Sequence, residues 1–133
     1  MRQKRFRVYL ILSLLWVALI FLHSAMPATV SKAESGGLLA LLQRVLPWLT
    51  HNMLRKAAHF AEYAVLGALL TGVFRNTKSF ALSKPLLCGL LVALGDETLQ
   101  LYVAGRAGML TDVWLDFSGL LAATLLLWLL RKR

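Results

Sequence analysis

The chain has 133 residues, 59% of them hydrophobic, and a formal net charge of +9. That apolar share exceeds the roughly 45–50% of a soluble domain and comes in long blocks, which argues against an ordinary soluble fold and for one small integral membrane domain over 1–133. The cations stand in short flanks beside apolar runs, without aromatic interleaving on a polar face, so no nucleic acid is expected as a partner.

Four blocks predict an all-α membrane protein with four transmembrane helices, at about 8–26, 53–74, 85–104 and 111–130. The first, "VYLILSLLWVALIFLHSAM", follows the basic "MRQKRFR" and could be mistaken for a signal peptide. Its unbroken apolar stretch from Val8 to Leu22 reaches the upper limit of an h-region, so it reads as an uncleaved anchor. The next segment, "GGLLALLQRVLPWLT", places Leu38, Leu41, Leu42, Val45, Leu46 and Leu49 at helical spacing. It predicts a short interfacial helix in the loop between spans 1 and 2, bent or ended by Pro47, with Trp48 at headgroup level. The third span is expected to start at Pro85, a residue suited to a first helical turn, and the fourth at Thr111 as N-cap. "DFSG" and the small residues Gly119, Ala122 and Ala123 read as a close helix interface, and Gly67 and Gly72 as packing positions. Cys88, the only cysteine, rules out an internal disulfide.

Charge predicts the topology. Arg2, Lys4, Arg5 and Arg7 precede the first span; Arg75, Lys78 and Lys84 lie between the second and third; Arg131, Lys132 and Arg133 follow the fourth. Ten cations and no acid on one side place both termini in the cytoplasm. All six acids fall toward the other side, with Lys32, Arg44, Arg55, Lys56 and Arg106.

At about 1.5 Å per residue, His59 lies roughly 10 Å below the outer surface, Glu62 and Tyr63 about 15 Å, and Asp96 and Glu97 near the midplane. His59 is three and four residues from Glu62 and Tyr63, Asp96 four from Gln100, and Asp112 four from Asp116, so each set shares one helix face. His23 and Ser24 end the first span at the same level. A charge facing lipid at that depth is costly. The expectation is therefore a polar pocket open to the outside, its acids paired with Arg55, Lys56, Arg106 or protonated His59.

Three stretches, "FLHSAMP", "RKAAHFAEYAVLGALL" and "GDETLQLYVAGRAGMLTDVWLDFSG", in this order, resemble the VanZ-like family of bacterial membrane proteins over most of residues 20 to 125. The resemblance implies a four-helix protein of the bacterial cytoplasmic membrane, and the family's namesake is associated with low-level teicoplanin resistance. Motif match carries over Lys56, His59, Tyr63, Glu97, Gln100, Arg106 and Asp112, with Asp96 and Glu62 beside them. The chain departs at Asp116, where many members have Asn.

Two functions follow as expectations. In the first, the pocket binds a membrane lipid, a lipid-linked cell-wall precursor or a lipoglycopeptide, with Lys56, Tyr63, Gln100, Arg106, Asp116 and Glu62 as contacts. In the second, an outer-leaflet hydrolase or transferase uses His59, Glu97, Asp96 and Asp112 as acids and bases on a lipid-linked substrate. A divalent metal on His59, Glu97, Asp112 and Asp116 is a further possibility. The sequence offers no serine elbow, no glycine-rich phosphate loop and no charged series into the inner half.

Overall fold

The computed structural model describes residues 1–131; Lys132 and Arg133, part of the expected cytoplasmic cation cluster, lie outside the described residues. Five helices follow in order: α1 Arg2–Ser24, α2 Ala28–Leu42, α3 His51–Arg75, α4 Ser83–Gln100 and α5 Leu110–Arg131. No strand occurs among the described residues.

Three of these, α1, α3 and α5 to Leu130, are long and apolar enough to cross a membrane. α4 is 18 residues long and carries Lys84, Asp96 and Glu97, so its apolar run is interrupted. α1 begins at Arg2 instead of Val8, which draws the basic flank into the first helical turns.

α2 is the clearest difference from expectation. It starts about ten residues before the leucine-rich stretch and stops at Leu42. A turn follows through Leu46, and Pro47, which has no N–H to give a helix and disfavours helical geometry at Leu46, keeps the helix from resuming there. The Gln43 side-chain amide donates to the Leu49 carbonyl at 2.8 Å and closes the turn. α3 is capped as residue type dictates, by Thr50 Oγ1 accepting from the Met53 N–H at 3.2 Å. Pro85 sits in the first turn of α4, buried.

α3 is the central helix, packed against the other four, most extensively against α5. Between apolar helices in lipid, association rests on packing rather than on water exclusion. The sequence supplies small residues at that contact. A Cβ on Gly119 would collide with the Phe60 carbonyl, and one on Gly67 with the Leu120 backbone. Ile20, Tyr63, Leu66, Ala93, Val113 and Leu120 form the buried core, drawn from α1, α3, α4 and α5. Below it Thr71 donates to the Gly67 carbonyl at 2.7 Å, and Arg75 donates to the Leu127 carbonyl.

Candidate functional site

At the end of the bundle where α1 stops and α5 starts, four helices and one loop bring the polar residues together. Asp96, Gln100 and Asp116 are 0% exposed, and Glu97 and Asp112 are buried. Leu87, Leu91 and Leu94, on the same helix as Asp96 and Glu97, are exposed. α4 is therefore two-faced, with its carboxylates turned into the bundle.

Local chemistry explains most of the positions. Glu97 Oε2 accepts from the Met109 N–H at 2.8 Å, at the residue just before α5. Thr111, the expected N-cap, already lies inside that helix. The anionic cap therefore comes from α4, and its charge suits the positive end of the helix dipole. Gln100 Nε2 reaches Ser24 Oγ and Glu97 Oε1, each at 3.4 Å. Asp112 is held by Arg55 Nη2 at 3.0 Å and by the more distant Lys56 Nζ at 3.9 Å. Glu62 pairs with His23 Nδ1 at 2.9 Å, while the Trp16 indole donates to the Glu62 backbone carbonyl.

Among the described residues, Arg106 meets no carboxylate within ion-pair distance. Its Nε donates to the Met26 carbonyl at 2.8 Å and its Nη2 to the His23 carbonyl at 3.0 Å, so it caps the C-terminal end of α1. Desolvation pulls its guanidinium below the ordinary value, and the Arg55 charge adds to this. The group keeps its proton at physiological pH.

A second cluster lies deeper. His59 Nδ1 is 3.4 Å from Asp116 Oδ1, with its side chain 12% exposed against 0% for Asp116. His59, Asp96 and Asp116 each offer one ligating atom, all within 4.8 Å of one another, a group that could hold a metal ion. Of the set named from sequence, His59 and Asp116 belong to it; Glu97 and Asp112 face other partners. The Tyr63 hydroxyl, on a fully buried residue, stands near Asp96.

Two adjoining cavities open above these groups, of about 300 and 480 Å³. Both are lined by Ser31, Ser35, Arg55 and Arg106. The smaller also reaches His23, Glu62 and His59, the larger Lys32 and His51. The sequence reading missed Ser31, Glu34 and Ser35. Their spacing of three and four residues was the available signal, overlooked because the helix was expected to begin at the leucine-rich stretch, whereas α2 already starts at Ala28.

These features define a helical membrane protein with a buried carboxylate cluster beneath two cavities that share Arg55 and Arg106, the smaller also lined by Glu34 and Glu62. The model of the VanZ/LLP1 family matches residues 9–131. The chain belongs to that family. No curated protein and no solved structure matches it.

Proposed function

We propose that the cavity shared by Arg55 and Arg106 binds the anionic headgroup of a lipid-linked cell-envelope component at the outer face of the cytoplasmic membrane. The observation that carries this reading is the meeting of two cavities at two guanidinium groups. Arg55 uses one nitrogen on Asp112 and Arg106 uses two on backbone carbonyls, so N–H donors remain on both. Guanidinium forks suit phosphate oxygens. Leu38, Leu54, Ala58 and Met109 provide apolar walls for the start of a lipid chain.

α4 is the third of four spans in this reading. Its 18 residues extend about 27 Å, close to a hydrocarbon core of about 30 Å, and its exposed leucines suit lipid. Both termini are cytoplasmic. Arg2 Nε donates to the Asn76 carbonyl at 3.2 Å, which joins the basic start of α1 to the basic end of α3, as the positive-inside rule requires. The cavity then lies on the outer side, where a lipid-linked wall precursor or a lipid-tailed glycopeptide is met. Retention of such molecules is the route by which the protein contributes to teicoplanin-type resistance.

Lipids co-purifying with the wild type and with an Arg55→Gln/Arg106→Gln double variant, compared by mass spectrometry, test this. Enrichment of an anionic polyprenyl lipid on the wild type alone is expected. Equal lipid profiles would remove the reading. A chemically altered lipid made only by the wild type would replace it with the acid–base enzyme.

A further inference from the structure

We infer that His59, Asp96 and Asp116 form a binding site for one divalent transition-metal ion, of the Zn²⁺ or Mn²⁺ class, set in the bundle beside the headgroup cavity.

The unmet bonding of buried groups is the first observation. Asp96 and Asp116 are fully buried, and none of their four carboxylate oxygens accepts a hydrogen bond of good geometry, although Ser24 and Tyr63 stand near Asp96 and His59 near Asp116. Buried carboxylates are costly unless paired with a cation or bound to a metal. The nearby permanent cations are committed elsewhere: Arg55 and Lys56 to Asp112, and Arg106 to the end of α1. His59 is the remaining partner. Its Nδ1 stands at ion-pair distance from Asp116 but makes no hydrogen bond.

Spacing is the second. Zinc bonds to nitrogen and oxygen of about 2.0–2.2 Å, at a tetrahedral angle, place two ligand atoms about 3.4 Å apart. His59 Nδ1 and Asp116 Oδ1 are separated by 3.4 Å. Asp96 completes a triad within 4.8 Å, so its carboxylate needs to close in by no more than about 1.4 Å to reach the ligand spacing of a zinc site, within the reach of side-chain adjustment.

The third is Tyr63. This residue is 0% exposed, and its hydroxyl stands near Asp96 without a hydrogen bond of good geometry. A phenol beside metal-bound carboxylates is the kind of outer partner that orients ligands.

One imidazole and two carboxylates make a mixed nitrogen and oxygen set. It suits Zn²⁺ or Mn²⁺ and provides too few oxygens for Ca²⁺. Two carboxylates neutralise the ion's double charge, so the occupied site is uncharged overall with a neutral histidine. Three protein ligands leave coordination positions for water or a ligand oxygen. His59 lines the smaller cavity and is the residue by which the site borders it.

Metal analysis of tag-free protein in detergent, dialysed separately against Zn²⁺ and Mn²⁺ and then against metal-free buffer, tests the site. About one equivalent of one ion per chain should remain. Asp96→Asn and Asp116→Asn should each lose it, and Tyr63→Phe should bind it roughly tenfold more weakly. In chelator, Asp116→Asn should melt at or above the wild-type temperature, because a buried charge has gone; added metal should raise the wild-type melting temperature only. That second measurement separates lost coordination from lost folding. The Arg55→Gln/Arg106→Gln protein should keep its metal whatever becomes of lipid binding, so the two assignments fail separately. A wild type that retains neither ion would overturn the site, as would an Asp116→Asn variant that retains as much as wild type. The carboxyl groups would then be a protonated, metal-free pair.

Discussion

Glu97 illustrates how one side chain answers two questions. A carboxylate deep in an apolar chain looks like chemistry, yet this one accepts the Met109 N–H where α5 begins. Removing an anionic cap costs about 1–2 kcal/mol, and keeping an uncharged acceptor costs less. Glu97→Ala should therefore lower the unfolding free energy by about that amount in detergent, and Glu97→Gln by less than half of it. Measured unfolding curves for the pair decide. A Gln variant as unstable as the Ala variant would show that the carboxylate does something other than cap. For Arg106, whose donors hold the His23 and Met26 carbonyls, Arg106→Ala should cost about 1–3 kcal/mol by leaving that helix end unsatisfied. The same unfolding assay measures it.

These residues were legible as a group and illegible as pairs. Spacing of three and four residues reveals which side chains share a helix face, so convergence of His59, Asp96, Gln100, Asp112 and Asp116 could be read from sequence. Which carboxylate meets which cation depends on the rotation of one helix against another. That is why Arg106 was expected on an acid but binds carbonyls, and why the metal-competent triad contains Asp96 in place of Glu97 and Asp112.

At the scale of elements, the α3–α5 contact and α2 mark opposite extremes. Gly119 has the Phe60 carbonyl where its side chain would be, so even Gly119→Ala must push the two helices apart. A loss of about 1–3 kcal/mol is expected on unfolding, the usual cost of overpacking. Gly36, inside α2, has open space around its Cβ position. Gly36→Ala should stabilise α2 by about 0.5–1 kcal/mol through lower backbone entropy. Slower amide hydrogen exchange across 28–42 would verify this; unchanged exchange would mean that α2 opens for another reason. α1, α3 and α5 were readable because a long apolar run has few other uses. The start of α2 was misplaced because leucine periodicity outweighed "ATVSKAESGG", a stretch with two glycines; the helix that it opens is held partly by Leu39, further along and buried against the bundle.

For the whole molecule, the division of charge between the two ends of the bundle is the basis of the proposed orientation, and the division of polarity the basis of the proposed function. Lys4, Arg5 and Arg75 border one cavity at the basic end of the bundle, and the carboxylates gather toward the other. In the orientation proposed above, the positive-inside rule would turn the Arg55 and Arg106 cavity toward the outer leaflet. The measurement that bears most directly on this is a titration of purified protein in nanodiscs with a polyprenyl phosphate and, separately, with the uncharged polyprenol of equal length. Saturable binding of the phosphate is expected, weakened about tenfold or more by Arg106→Gln, with little binding of the alcohol. Equal affinity for both lipids, or an Arg106→Gln protein that binds the phosphate as tightly as wild type, would contradict an anionic headgroup site.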